Sequence, residues 1–234
     1  VSSGSATLVD AVSECMRYYV SNCDTTHLAV GSAIGANVFL KICAYSTAQI
    51  SRELKTQLME EFGKIPKMKL INVIGGGSSA AGFWSEFIHY PKKHVELIGV
   101  EAKYCAPLTT NAKLAILHGA AQYCLTDKNG QIKETHSISA GLDYPGVSPL
   151  HCFLKDTGRA RYCSASDEQA LTAFKLVTKL EPSVKPSLEP AHCLHEVIRL
   201  APKLNQDEII IYNNCGHAYK DRKIIQDKIG YFPS

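Results

Sequence analysis

The sequence predicts an α/β protein built around a parallel sheet. Two short apolar runs rich in β-branched residues, 68–74 ("MKLINVI") and 95–102 ("VELIGVEA"), are separated by a glycine turn and a helical pattern of about ten residues. A strand, helix, strand unit of this kind is the signature of parallel pairing. A third apolar run at 207–216 ("DEIIIYNNCG") is predicted to be a strand that ends in a turn of small residues.

The elements before this unit are predicted from apolar periodicity. A helix is expected from Thr7, with Asp10 three residues later completing a capping box. The segment 27–39 is predicted to be a short strand broken by glycines, and a second helix ends at Gly63. The apolar faces of the two helices are Leu8, Val12, Cys15, Met16 and Tyr19 in the first, and Ile50, Leu54, Leu58 and Phe62 in the second.

The elements after the unit are less regular. The stretch 104–162 lacks clear periodicity and is rich in turn residues, and so long an irregular segment is more often functional than structural. Ser166 and Gln169 predict the capped start of a helix, and Pro190 predicts the start of another. The inward faces of these two helices are Ala170, Leu171, Phe174 and Val177, and then Leu194, Ile198 and Ala201.

Composition excludes several classes of protein. The chain has 234 residues, of which 45% are hydrophobic and 20% charged, and its net charge is +3. This charge is small, and no basic run is interleaved with aromatic residues, so a nucleic-acid partner is not expected. No apolar run approaches the roughly 18 residues of a membrane helix, and no targeting segment is recognisable. We expect a soluble, cytoplasmic protein, with a plastid location left open.

The cysteines favour a reducing compartment. There are nine of them, they are widely scattered, and none forms a C-x-x-C pair. A disulfide framework or a structural zinc site is therefore not expected, and most of the thiols are interpreted as small buried hydrophobes.

The segment "GGGSSAAG" at 75–82 is the strongest local signal. Glycines between a strand and a helix present free backbone N–H groups at the positive end of the helix dipole, which is an anion site. The spacing matches neither G-x-x-x-x-G-K-[ST] nor G-x-G-x-x-G. The phosphate of a small cofactor is therefore favoured over a nucleotide, with a close helix-strand crossing as the open alternative.

Three further constellations carry weaker signals. His192 and His195 are one helical turn apart, but no third metal ligand accompanies them at helical spacing. Cys152 follows His151, and Cys215 lies near His217, but neighbours in sequence rarely face each other as a nucleophile and its base. Glu189, just before a helix, is interpreted as a carboxylate favoured by the helix dipole or as a simple cap.

Several segments together resemble one family. They are "GGGSSAAG", "LIGVEA", "GQIKETHSISAGLDYPGV", "SASDEQALTAF" and "LEPAH". In order and spacing they are similar to the beta subunit of tryptophan synthase, a pyridoxal-phosphate enzyme of fold type II. The resemblance implies a mostly parallel sheet with helices on both faces. It covers essentially the whole chain, but only about the C-terminal three fifths of the family's length. By the same resemblance, residues 1–30 would be the remainder of an N-terminal domain and 31–234 the C-terminal domain that binds the cofactor phosphate.

The resemblance also implies a set of cofactor residues. Gly75, Gly76, Gly77 and Ser78 would hold the phosphate, with Ser79 where the family usually has Asn. Ser32 and Gly141 would lie close to the ring, Glu189 matches the carboxylate near it, and Cys215 falls where the family places a Ser beside the pyridine nitrogen. The lysine that forms the Schiff base belongs to the family's N-terminal part, so the resemblance assigns no catalytic residue here beyond Asp143, which would help to close the active site.

Softer assignments concern the ion and the partners. The backbone carbonyls of Gly75, Tyr144 and Gly146 match the family's monovalent cation site. Leu117 and His118 match the channel that brings indole from the alpha subunit. A homodimer and an alpha-subunit partner are implied, with L-serine and indole as the substrates that give L-tryptophan once the missing part is supplied.

Departures from the family pattern keep other functions open. The family's S-G-R-G-D-K-D is "CGHAYKD" at 215–221, and its G-P-H-P is "GANV" at 35–38. Another β-replacement on serine is the nearest enzymatic alternative. A non-catalytic paralogue that keeps the fold, and binds the cofactor or a partner, is the alternative from another class.

Overall fold

The computed structural model describes residues 1–2 and 4–233, which form a parallel sheet covered by helices and a separate hairpin. The helices are α1 (Leu8–Ser21), α2 (Asn37–Phe62), α3 (Ser78–Phe83), α4 (Pro149–Asp156), α5 (Asp167–Leu180), α6 (Leu188–Leu200) and α7 (Arg222–Ile229). The strands are β1 (Lys67–Ile74), β2 (Val95–Ala102), β3 (Lys113–Leu117), β4 (Ala120–Cys124), β5 (Ala160–Ala165) and β6 (Glu208–Tyr212).

The main sheet has the order β5-β2-β1-β6, and all of its pairings are parallel. The two central strands β1 and β2 are almost completely buried. Strands covered on both faces are expected to be continuous apolar runs, as these two are. The predicted α/β class with a parallel sheet is confirmed.

Helices cover both faces of this sheet. On one face α6 packs against the sheet, with Cys193 in the same cluster as Ile71 and Ile98. On the other face the side chains of Leu70 and Leu97 lie in a cluster with Trp84, which follows α3. Alternate residues of each strand thus feed two separate cores, which is what the period of two in a strand dictates.

Several predicted boundaries are correct because the local chemistry decides them. The capping box of Thr7 and Asp10 precedes α1, and that of Ser166 and Gln169 precedes α5. The helix α2 ends at Gly63, whose φ of 65° is the left-handed C-cap conformation that glycine adopts at no steric cost. Short side-chain to backbone bonds of this kind need no tertiary context.

Other predictions are wrong. The segment 27–39 forms no strand, and α2 begins at Asn37, far before the predicted apolar face. The helix after the glycine turn has six residues rather than about ten, because turns replace it after Phe83. The stretch 104–162 is not irregular throughout, since it holds the β3-β4 hairpin, α4 and the start of β5. The sixth helix begins at Leu188, not Pro190.

Some predicted inward faces are exposed. Ile50 and Phe62 in α2 are each 45% exposed, and Ile198 in α6 is 38% exposed. Ala201, predicted to point inward, is exposed in a short 3₁₀ helix that follows α6. In α1 no described residue is buried.

Among the described residues, no helix has both the length and the apolar character needed to cross a membrane.

A third core joins α5, α6 and α7, and Phe174 of α5 lies within it. It is fully buried, whereas Phe153 of α4 is 62% exposed. We expect Phe174→Ala to lower the free energy of unfolding by about 3 to 5 kcal/mol, because truncating a buried aromatic residue leaves a cavity. Phe153→Ala is the matched control and should change it by less than about 0.5 kcal/mol. Urea denaturation of both variants decides the point, and equal effects would contradict this assignment of the core.

Candidate functional site

The glycine turn at 75–77 lies at the carboxyl end of β1, where it leads into α3. Each of its three glycines faces a close neighbour. A Cβ atom on Gly76 would lie 2.8 Å from Cγ2 of Ile34, one on Gly75 would overlap the Gly141 carbonyl, and one on Gly77 would overlap the His151 ring. Gly77 also has a φ of 98°, which other residues rarely adopt. The glycines therefore allow the turn itself to pack closely against three other segments, which is not a crossing of a helix over the strand.

The carbonyl groups of Gly76 and Gly77 are bonded to protein, whereas the amides of Gly77 and Ser78 are not. The Gly76 carbonyl accepts from the backbone N–H of Ser148 at 3.1 Å. The Gly77 carbonyl accepts from the backbone N–H of Ala81 at 3.0 Å and from Nε2 of His151 at 2.8 Å. Within the described part of the chain, the amides of Gly77 and Ser78 show no protein acceptor.

The Ser79 hydroxyl is bonded to neighbouring strands. Its Oγ accepts from Nδ2 of Asn72 on β1 and from Nδ2 of Asn213 just after β6, each at 3.1 Å. Cys215 lies beside the same hydroxyl, and although the residue is exposed, partial desolvation of its thiol raises the pKa above its ordinary value, so the thiol stays protonated near neutral pH. Ser79 therefore connects the carboxyl ends of two strands and also contacts the thiol.

Glu189 forms a charge pair at the same edge of the sheet. Its carboxylate lies 2.8 Å from Nζ of Lys220 and accepts from Oγ of Ser187 at 2.7 Å. Burial alone would raise the pKa of Glu189, but the hydrogen bonds from Lys220 and Ser187 outweigh it and lower the pKa to about 2. Oε1 of Glu189 also accepts from the Gly141 amide at 3.2 Å. Lys220 bonds Asp221 as well, at 2.8 Å.

The structure brings most of the other predicted site residues to this region. Oγ of Ser32 would lie 3.0 Å from a Cβ on Gly76, so Ser32 adjoins the turn. Gly141 contacts both Gly75 and Glu189. Oδ1 of Asp143 accepts from Oγ1 of Thr135 at 2.7 Å, which places the carboxylate beside the 133–136 segment.

Apart from Gly75, which belongs to the turn itself, the residues predicted for the cation and the channel cluster around Tyr144. The hydroxyl of Tyr144 is 2.8 Å from Nδ1 of His118, whose Nε2 is 3.0 Å from Oγ of Ser13 on α1. Leu117 and Gly146 pack next to Tyr144. Burial lowers the pKa of His118, so its ring is neutral at pH 7. The hairpin turn, Tyr144 and α1 thus form one cluster.

The weaker sequence constellations form no reactive site. His151 bonds Gly77 and Tyr162, while Sγ of Cys152 accepts from the Tyr123 amide at 3.3 Å. His217 accepts from the Tyr219 amide and caps a 3₁₀ helix, rather than pairing with Cys215. Nδ1 of His192 is 2.7 Å from the Leu188 carbonyl. The described residues contain no group of three potential metal-ligating side chains of the His, Cys, Asp or Glu type.

Sequence reasoning missed several polar residues of the site. Asn72 is fully buried inside an apolar strand, and a polar residue within such a run was the available signal. Glu101 is buried at the end of β2, where it accepts from the Leu108 amide at 2.9 Å and from Oγ1 of Thr109 at 2.8 Å. Burial raises the pKa of Glu101 to about 7. No local sequence pattern predicts the ion pair of Lys220, because its partner Glu189 is 31 residues away.

Comparison with known proteins identifies the relatives of this chain. It is 43% identical over 229 residues to the tryptophan synthase beta chain of Allorhizobium ampelinum, a match that covers 94% of this chain and 55% of the relative. The chain is homologous to the tryptophan synthase beta chain. It spans a little over half the length of this curated relative. No family model matches it.

Solved structures show the same fold at low sequence identity. A fungal L-serine ammonia-lyase from Rhizomucor miehei is 19% identical with a TM-score of 0.55, over 77% of this chain and 56% of that one. The processed form of threonine deaminase isoform 2 from Solanum lycopersicum is 17% identical with a TM-score of 0.54, over 80% and 47%. These likenesses show that this tryptophan synthase beta homologue has the fold of the fold type II pyridoxal-phosphate enzymes, as the resemblance implied.

The pair of Glu189 and Lys220 predicts a specific dependence of stability on pH. The pKa of Glu189 is about 2, below its ordinary 4.5, so the pair stabilises the fold above about pH 4.5 and this contribution disappears as the pH falls toward 2. We expect Glu189→Gln to remove a contribution on the order of 2 kcal/mol at pH 7 and to flatten the loss of stability between pH 5 and 2. Urea denaturation across this range measures both effects.

Lys228→Gln is the control for this prediction, because it removes an exposed lysine from α7 without touching Glu189. It should leave the slope between pH 5 and 2 as in the unchanged chain. An unaltered slope in Glu189→Gln would show that the carboxylate is not held by Lys220 in solution.

Proposed function

We propose that this chain is the cofactor-phosphate-binding part of a tryptophan synthase beta protein, which condenses L-serine with indole to give L-tryptophan. The observation that carries the proposal is the 43% identity to a tryptophan synthase beta chain over 229 residues, which include the glycine turn. The missing N-terminal part of the family would supply the Schiff-base lysine. In this proposal residues 31–234 form the cofactor domain and 1–30 belong to the preceding one.

The geometry of the turn fits the phosphate of pyridoxal phosphate. Gly75, Gly76 and Gly77 let the backbone of the turn pack directly against Gly141, Ile34 and His151, which fixes its position at the carboxyl edge of the sheet. The amides of Gly77 and Ser78, at the start of α3, have no protein acceptor in the described chain. Such amides bind anions, and the helix dipole adds to the attraction. Gly75 to Ser78 are therefore assigned to the phosphate. Ser79 follows them, and its hydroxyl is held by Asn72 and Asn213.

The residues that would surround the pyridine ring also fit the cofactor. Pyridoxal phosphate, when bound, supplies the electron sink through which the serine hydroxyl is replaced. Cys215 is protonated near neutral pH and offers a weak neutral donor to the pyridine nitrogen. Glu189 is an ion pair with Lys220, so it has no proton to give to the ring. Ser32 and Gly141 would flank the ring, and Asp143 would help to close the site.

The remaining parts of the proposal follow the family. The carbonyls of Gly75, Tyr144 and Gly146 would bind a monovalent cation. Leu117 and His118 would line the path of indole from an alpha subunit, in a homodimeric protein of the cytoplasm. The cluster of His118 with Tyr144 and Ser13 supports this placement, since it lies beside the surface of α1.

Two other functions are the alternatives to this proposal. Another β-replacement on serine would use the same phosphate site with a different nucleophile. The departures at 215–221, where the family's arginine and one aspartate are replaced by His217 and Tyr219, fit a non-catalytic paralogue as readily as a working enzyme.

The phosphate assignment predicts a clear ligand preference. We expect the chain to bind pyridoxal 5'-phosphate at least tenfold more tightly than pyridoxal, because only the former presents the dianion to the amides at 77–78, and inorganic phosphate should compete. Isothermal titration measures all three. The chain alone should give no lysine trapped by borohydride, and such a lysine would contradict the assignment of the catalytic residue to the missing part.

Activity requires completion of the chain. Joined to the N-terminal part of the Allorhizobium relative, it should form tryptophan from serine and indole. Product from serine with other nucleophiles, but none with indole, would favour the first alternative. Tight cofactor binding without any turnover would favour the paralogue. Reading the coding sequence upstream for an in-frame H-K-x-N segment is the quickest discriminator.

A further inference from the structure

His151 is fully buried directly behind the glycine turn, and both of its ring nitrogens are bonded. Nε2 lies 2.8 Å from the Gly77 carbonyl, and Nδ1 lies 3.0 Å from the hydroxyl of Tyr162. A carbonyl oxygen only accepts, so Nε2 carries the proton and Nδ1 accepts from Tyr162. Burial lowers the pKa of His151 to about 4, which keeps the ring in this neutral form at pH 7.

The ring is also fixed by packing. It meets the ring of Trp84 edge-on at 5.5 Å between centroids, and that of Tyr162 at 6.0 Å and 90°. Gly77 lies so close to it that any side chain at position 77 would overlap the imidazole. The imidazole therefore cannot rotate away from the turn without disturbing three neighbours.

The bond to Gly77 sets the direction of an amide. In a trans peptide the carbonyl of one residue and the N–H of the next point in opposite directions. Since His151 holds the Gly77 carbonyl on the side of α4, the Ser78 N–H points away from α4. The bond from the Ser148 amide to the Gly76 carbonyl does the same for the Gly77 N–H. The start of α4 thus orients the amides of Gly77 and Ser78, neither of which has a protein acceptor in the described chain.

We propose that His151 is the positioning residue of the anion site: held by Tyr162 in its Nε2-protonated form, it fixes the Gly77 carbonyl and so directs the Ser78 amide at the phosphate. The inference deepens the proposed function and rests on it for the identity of the anion. The orientation of the turn itself does not depend on a ligand. It is therefore testable with the chain alone.

The Ala81 amide reports directly on this arrangement, because it donates to the same Gly77 carbonyl. We expect His151→Leu to speed hydrogen exchange at Ala81 at least tenfold beyond the change in global stability, and to weaken binding of pyridoxal 5'-phosphate at least tenfold. His151→Gln should keep most of both properties, since its amide nitrogen reaches about as far as Nε2 and can donate. A role in packing alone would give no such rescue.

His192→Leu is the matched control. His192 is equally buried, and its ring also bonds a backbone carbonyl, that of Leu188. It lies on α6, where Nε2 of its ring is 3.6 Å from the Asp167 carboxylate, and neither ring nitrogen bonds the glycine turn. This variant should lower global stability without an excess effect at Ala81.

Tyr162→Phe tests the proton on the ring and keeps the experiment decisive if His151→Leu does not fold. ¹⁵N spectra of the unchanged chain should show His151 protonated at Nε2, and the variant should shift protonation toward Nδ1. A ring protonated at Nδ1 in the unchanged chain, or exchange at Ala81 that follows global stability in every variant, would overturn the inference. If pyridoxal 5'-phosphate does not bind the unchanged chain, the proposed ligand is wrong, and exchange and tautomer still judge the role of His151.

Discussion

The absence of side chains at 75–77 is the constraint on which the rest of the site depends. Ile34 presses on the turn from one side, the Gly141 carbonyl from another and the His151 ring from a third. A single methyl group would force these neighbours apart, and a close-packed interior accommodates such a change poorly. The segments before α2, around 141 and at the start of α4 are distant in sequence, so the turn is what brings them to one edge of the sheet.

The electrostatics of this edge follow from pairing rather than from net charge. The carboxylate of Glu189 is balanced by Lys220, which also bonds Asp221. The nearby Cys215 is neutral because partial desolvation raises the pKa of its thiol. Under the proposed function, a pyridine nitrogen placed here meets no acid able to protonate it. Such a ring is a weaker electron sink, which favours β-replacement over transamination.

Sequence predicted what local chemistry decides and missed what tertiary contacts decide. The caps at Thr7 and Ser166 depend on residues three positions away, and the pairing of β1 with β2 follows from the strand, helix, strand order that the sequence displays; the structure confirms both. The short α3 was not predictable, because turns that pack Phe87 into the core end it early. The family resemblance predicted that Glu189 and Cys215 lie near the same ring. It did not predict the ion pair of Lys220 with Glu189, because only the fold brings these two residues together.

Large apolar side chains are exposed along α2, whereas the apolar side chains of β1 and β2 are buried. Val38, Ile42 and Tyr45 are each more than half exposed on one side of α2, at spacings of four and three residues. Such a stripe on a helix is the pattern of a face that packs against another element. By contrast, the core of β1 and β2 is complete within the described chain. The glycine turn follows β1 directly and is bonded to α4 through His151, so it is anchored to that core.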